Sequence, residues 1–378
     1  MKKGWTTKRL EEVCEIARGG SPRPIEKFLT TAPDGINWVK IGDATASDKY
    51  IYKTEEKITS DGVKRSRMVH DGDFLLSNSM SFGRPYIMKT SGCIHDGWLV
   101  LRQREKQLEQ DFLFYLLSSD ELFQQFDRLA AGSTVRNLNI GLVKSVEISF
   151  PPLAEQQRIV GVLDEAFVGL ATAQAHAAQN LQNARALFES HLQSVFTHRG
   201  KGWVEKTLGE TCEMYQPKTI GTKDLVPDGP YPVFGANGII GRYDKFNHEE
   251  PQLLITCRGA TCGAVNISEP KSWITGNAMV VRPLDASLDL GFLEYAFRGG
   301  IDISKAITGA AQPQITRTNL SPLLICFPKS VTEQKQLAST FRDLAAETQR
   351  LTRLYEQKQA ALAALKKSLL HQAFTGEL

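Results

Sequence analysis

A chain of 378 residues is too long for one compact core and suits two or three domains. With 42% hydrophobic and 23% charged residues it has an ordinary globular composition. No apolar run approaches the roughly 18 to 20 residues of a membrane span, and Met1 to Trp5 leads into no signal-peptide core, so a cytoplasmic chain with no membrane partner is expected. The net charge of +3 permits nucleic-acid binding without demanding it. Six scattered cysteines argue against a disulfide scaffold, and the one close pair, Cys257 and Cys262, lacks a second pair of ligands at finger-like distance. Buried thiols and no metal site are expected.

In chain order, residues 1–150 read as a globule of mixed α/β (α+β) character. Strand-like runs at 37–41, 73–77 and 98–102 are rich in β-branched or aromatic residues and bounded by Gly, Asp or Pro. A helical segment at 111–129 and an apolar strand at 146–150 close it. Residues 151–200 then form a first long helix, entered through FPPLAEQ, where Pro ends the strand and Glu lies in the first turn. A second globule, 201–328, has strands at 252–256 and 278–282, a helix at 290–298 and a closing strand at 323–327. It enters a second long helix, 329–378, through FPKSVTEQ.

The order is a duplication. GWTTKRLEEVCE recurs as GWVEKTLGETCE, with Trp5, Leu10 and Cys14 matching Trp203, Leu208 and Cys212 at an offset of 198. Gly132 and Phe150 match Gly309 and Phe327 at 177, and from Glu155-Gln156 against Glu333-Gln334 onward the offset holds at 178 to the end of the helices. Helix length is therefore expected to be equal in the two copies and globule length free.

Leu337, Phe341, Leu344, Thr348, Leu351, Tyr355, Lys358, Leu362, Leu365 and Leu369 alternate at spacings of four and three, the seam of a heptad repeat. The matching row in the first helix is Ile159, Leu163, Ala166, Leu170, Ala173, Ala177, Asn180, Ala184, Leu187 and His191. Small residues in one row and large ones in the other suit an intramolecular pair, and a pseudo-two-fold repeat makes that pair antiparallel. From Glu155 the helix runs to Thr197, roughly 64 Å at about 1.5 Å per residue. Asn180 and Lys358 are equivalent polar positions expected to fix register within the seam. The bland alternative is two amphipathic helices, each lying on its own globule.

Catalytic constellations are missing from the sequence. It contains no GxxxxGK[ST], GxGxxG after a strand, HExxH or GxSxG, and SFPPL lacks the amide or carboxylate of an amino-group methyltransferase motif. DEAF at 164–167 superficially resembles a helicase box but reads as solvated helix surface. No catalytic residue is assigned.

The globules offer cations and amides beside glycine turns instead. In the first these are Arg18, Arg23, Lys64, Arg65, Arg67, Asn78, Arg84, His95, Arg136 and Asn137. In the second they are Gln216, Lys218, Asn237, Arg242, Arg258, Asn277, Gln312, Gln314 and Arg317. Arg reads guanine bidentately, Asn and Gln read adenine, and Lys holds phosphate. Each alone is also an ordinary surface residue. Two such globules at the ends of a long helix suit two half-sites, since one turn of DNA is about 34 Å.

The duplicated order, the blocks GSTVRNLN…FPPLAEQQRIV and GAAQPQIT…FPKSVTEQKQL, the helix endings SVFTHRG and QAFTGEL, and YPVFGANGIIGRYDKF with LLITCRGATCGAV together resemble the specificity (S, HsdS) subunits of type I restriction-modification systems. The resemblance covers essentially the whole chain. It implies two target recognition domains, each reading half of a split double-stranded DNA sequence, with the helices setting the unread spacer. It also implies a non-catalytic subunit that binds no cofactor of its own. Two methyltransferase (M) subunits would bring S-adenosylmethionine, and restriction (R) subunits would bring ATP and Mg. One departure is FPK in place of FPP at Phe327 to Lys329, which leaves the second helix entrance less stiff. The competing readings are a coiled-coil adaptor with two protein-binding globules and a self-sufficient methyltransferase or nuclease.

Overall fold

A computed structural model of the chain describes residues 4–45, 47–78, 82–130, 138–309 and 311–378. The chain packs as two units, one of residues 1–176 with 358–378 and the other of 177–357. Each unit holds one globule together with part of each long helix, and the helices themselves run Leu153–Thr197 and Val331–Thr375, 45 residues apiece. No helix among the described residues is long and apolar enough to cross a membrane.

Each globule is closed by pairing its first strand with its last. Thr6–Arg9 runs antiparallel to Glu147–Phe150, with Thr6 opposite Phe150, and Trp203–Thr207 runs antiparallel to Leu324–Pro328, with Trp203 opposite Pro328. The chain is thus gathered at the helix root before the proline-bearing entrance.

In the first unit one five-stranded sheet is ordered Cys14–Arg18, Trp98–Gln103, Phe74–Ser77, Pro85–Met88, Tyr50–Ile51. A second is ordered Leu29–Thr30, Glu56–Ile58, Ile36–Val39, Gly92–Ile94, Arg67–Val69. In the second unit a four-stranded sheet is ordered Cys212–Tyr215, Ala278–Pro283, Leu253–Thr256, Val265–Ile267, beside a three-stranded sheet built on the hairpin Tyr231–Gly235 and Gly238–Tyr243. The buried central strands are the ones legible as apolar runs. The others are mostly two to five residues long, too short to show a period.

Both intervening helices are broken. The expected 111–129 helix divides into Gln110–Leu117 and Asp120–Ala130 at Ser118-Ser119, where Ser119 Oγ accepts the Leu122 N–H at 3.3 Å as a new cap. The expected 290–298 helix ends as Leu290–Tyr295 and continues as a wide turn through Gly300. A Cβ on Gly300 would lie 2.5 Å from the Phe196 ring, so glycine lets the first long helix approach.

The helices pair antiparallel. In the first unit Ile159 and Leu163 share a core with Ala373, Leu369, Leu370 and Phe374, and Arg158 Nη2 donates to the Leu378 carbonyl at 2.8 Å. In the second, Leu192 and Phe196 pack with Phe341 and Ala338, the Phe196 and Phe341 rings stacked at 6.1 Å, and Arg185 meets Glu356 at 3.4 Å.

One row of the expected seam needs correction. Leu163, Leu170, Ala177 and Ala184 are buried and Phe341, Thr348, Tyr355, Leu362 and Leu369 are buried or half-buried, as a seam requires. Asn180, Leu187, His191, Lys358 and Leu365 are exposed, Leu187 by 62%. Their neighbours Leu181, Phe188, Leu192 and Gln359 turn inward instead. One residue rotates a helix by about 100°, and both rows carry apolar side chains, so spacing alone permits either phase. Leu337, Leu344 and Leu351 are half-buried beside buried Ala338 and half-buried Ala345 and Thr352. Asn180 and Lys358 therefore lie outside the seam, and the register role expected of them falls. DEAF is helix surface at the exposed Asp164 and Glu165, but Tyr115 donates its hydroxyl to Asp164, and the half-buried Phe167 ring meets Tyr115 edge-on at 5.4 Å.

Candidate nucleic-acid interface

In the first unit the candidate residues converge on the turn 94–97. Arg18 ends the strand Cys14–Arg18, and its Nε donates to the Asp96 carbonyl at 2.9 Å. Arg67 Nε donates to the Arg18 carbonyl at 2.6 Å. Asp96 accepts from Ser21 Oγ at 2.6 Å and pairs with Arg23 at 3.3 Å, while Arg65 lies over the Phe28 ring at 5.3 Å. Gly19 permits this close backbone approach, because a Cβ there would come within 2.1 Å of the His95 carbonyl oxygen. Arg18, Arg23, Arg65 and Arg67 all remain exposed.

Asn78 is a correction. It is 1% exposed, and its Nδ2 donates to the Asp96 carbonyl at 2.9 Å, so it braces the turn from behind and cannot reach a groove. His95 is half-buried, and burial holds its pKa below the usual imidazole value against the opposing pull of Asp96 and Asp43. Its Nδ1 accepts the Gly97 N–H at 2.9 Å, which leaves the proton of the neutral ring on Nε2. The hydrogen bond from Ser21 holds the Asp96 carboxyl below its usual range.

The second unit repeats this wiring with other side chains. Gln216, at the offset of 198 from Arg18, donates from Nε2 to the Gly276 carbonyl at 3.0 Å, where Arg18 donates to Asp96. The backbone frame repeats as well. Asn78 N–H donates to Gly97 O and Leu138 N–H to Asn78 O, both at 3.0 Å, and Cys257 N–H donates to Asn277 O at 3.1 Å and Ile315 N–H to Cys257 O at 2.9 Å. Arg258 bridges to Gln314, and Gly259 N–H donates to Pro313 O at 3.1 Å. Asn237 Oδ1 accepts from Thr261 Oγ1 at 2.5 Å. Gln216, Lys218, Asn237, Arg258, Asn277, Gln312 and Gln314 are exposed.

Other candidates fall outside these two clusters. Lys64 pairs with Asp61 at 2.8 Å and Arg84 with Asp48 at 3.0 Å. Arg242 folds back onto the Pro230 carbonyl at 2.6 Å, bracing the base of its hairpin. Arg317 begins the short helix Arg317–Leu320. Arg136 and Asn137 lie outside the described residues. Among the described residues no group of His, Cys, Asp and Glu is placed to hold a metal ion.

The family described as type I restriction modification DNA specificity domain matches residues 2–174 and again residues 200–360. This chain belongs to that family. Among specificity subunits it is similar to that of the type I restriction enzyme EcoprrI of Escherichia coli, 23% identical over 348 residues, covering 87% of this chain and 85% of the relative. It also resembles the MjaIX specificity subunit of Methanocaldococcus jannaschii, 28% identical over 165 residues, or 43% of this chain and 37% of that one. Its fold matches the HsdS subunit from Thermoanaerobacter tengcongensis with a TM-score of 0.64 over all of this chain and 98% of that one, at 22% identity. It also matches a chain from work on complex assembly and conformational transition of the type I R-M system, with a TM-score of 0.81, 22% identity and coverage of 100% and 99%.

Two residues of this specificity chain went unrecognised in the sequence. Gln156 and Gln334, at the helix roots, are fully buried. Gln156 accepts the Glu109 N–H at 2.8 Å and donates to the Pro151 and Gln107 carbonyls at 2.8 and 3.0 Å. Gln334 repeats each bond, accepting from Asp289 at 2.7 Å and donating to Pro328 and Ser287 at 2.7 and 2.9 Å. Glu109 and Asp289 in turn cap the first helix after the central sheet, accepting from Phe112 N–H and Phe292 N–H at 2.6 and 3.0 Å. The Glu-Gln pair at the constant offset was the available signal.

Proposed function

We propose that each unit reads one half of a bipartite double-stranded DNA sequence through the edge around 94–97 or around 275–277, that the long helices set the unread spacer, and that the chain performs no catalysis itself. The repeated frame carries this reading: the same backbone bonds recur while the exposed Arg18 is exchanged for the exposed Gln216 and Asp96 for Gly276. A constant frame with exchanged exposed side chains is what two readers of different half-sites need. Methyltransferase subunits dock along the helices, whose outer faces expose Val162, Val168, Leu187, Leu354 and Leu365, and restriction subunits join through that assembly.

Exchange of residues 203–327 for the matching segment of another family member, followed by sequencing of methylated DNA from cells holding the M subunit, tests the proposal. One half of the recognised sequence is expected to change and the other to persist. Changes in both halves overturn modular reading. Affinity that hardly falls as salt rises, with no preference for DNA, returns the chain to the protein-binding adaptor reading.

A further inference from the structure

Ile239 and Ile240 are exposed by 52% and 48% at the tip of the hairpin Tyr231–Gly235 and Gly238–Tyr243. Among the described residues they are the only two consecutive large apolar side chains that are both exposed. Strand alternation normally sends one of two neighbours inward, and here a bulge prevents it. Val233 is opposite Gly241 and Phe234 opposite Ile239, so Ile240 has no residue across from it. Gly235 makes room for it, since a Cβ there would lie 2.7 Å from Ile240 Cγ2.

The tip is tied to the edge assigned above to DNA. Asn237, two residues before Ile239, accepts from Thr261 at 2.5 Å and from Thr256 at 3.5 Å, and the next residue, Cys257, is held by Asn277. Arg258, Asn277 and Gln314 on the same edge are exposed donors. Two isoleucines offer far less apolar area than the roughly 800 Å² per side of a stable protein interface. A small apolar point among amide and guanidinium donors matches a base edge, where the thymine C5-methyl is the apolar group on offer.

We propose that Ile239 and Ile240 are specificity-determining residues of the second unit, making apolar contact with thymine methyl groups in the half-site it reads. This rests on the DNA-reading assignment. The test uses the full chain assembled with its methyltransferase subunits and duplexes carrying its methylome-defined site. Binding of wild type, Ile239→Ala/Ile240→Ala and Ile239→Val/Ile240→Val is measured while each thymine of the half-site is replaced in turn by uracil.

The double alanine variant is expected to bind the site about tenfold more weakly and non-specific DNA equally well, with the valine variant close to wild type. At one position or more, uracil costs the wild type several-fold and the alanine variant nothing. Unchanged affinity of the alanine variant, equal loss on all DNA, absence of coupling at every position, or loss confined to assembly with the M subunits overturns the proposal. If wild type itself shows no site preference, the DNA-reading assignment has failed and not only the role of the isoleucines.

Discussion

At the roots of the long helices the two units use the same side chains for the same bonds, whereas at their glycine turns they keep the backbone bonds and exchange the side chains. Gln156 and Gln334 make three equivalent bonds each, down to the carbonyl of the residue that ends the closing strand or follows it. The turns keep their main-chain bonds, yet a charged Arg18 stands where the second unit has a neutral Gln216. A root must hold a helix at one angle whatever the sequence read, and an amide saturated by three backbone partners does so. A reading edge must vary without moving its frame. Main-chain hydrogen bonds allow that because they do not depend on side-chain identity.

The largest effect should come from breaking the part that is alike. Gln156→Leu and Gln334→Leu each strand one N–H and two carbonyls, which at about 1 to 3 kcal/mol per unsatisfied group should lower stability by at least about 3 kcal/mol in either unit. Chemical denaturation of both variants measures it. Similar losses sharpen the comparison, and a loss at only one root breaks it.

Next in size is the part that differs. Arg18→Ala and Gln216→Ala should each weaken site binding by about 1 to 3 kcal/mol and relax selectivity in one half only, a different half for each. Arg18→Ala should also reduce the salt dependence of binding, and Gln216→Ala should not. Binding to duplexes with each half randomised reads both outcomes, and selectivity lost in the same half for both variants breaks the comparison.

The smallest effect is a pH response at the turn of the first unit, which the turn of the second lacks because Thr275 occupies the place of His95. Burial keeps the folded His95 pKa below 6.5, so the unfolded chain takes up a proton that the native turn refuses. The contribution is complete above the unfolded value and is lost as pH falls from there through the lower folded value. Asp96, held below its usual range, titrates in a more acidic window. The Tm of wild type relative to His95→Asn should therefore fall from about pH 8 to about pH 5. A constant difference would show that His95 does not couple to folding.

Much of the molecule was legible as text. The constant offset between Glu155 and Glu333 determined two equal helices, the prolines before them marked their entrances, and alternating Leu337 and Phe341 spacings showed that they pair. Those features are local, or are repeats of one chain against itself. Tertiary structure decided the rest: Leu181 and Phe188 are half-buried while Asn180 and Leu187 are exposed, Asn78 supports the edge from inside, and Arg18 and Gln216 meet equivalent carbonyls. A helix phase ambiguous by one residue is resolved only by the shape it packs against, and a polar side chain's role depends on which distant backbone groups the fold brings within hydrogen-bond reach.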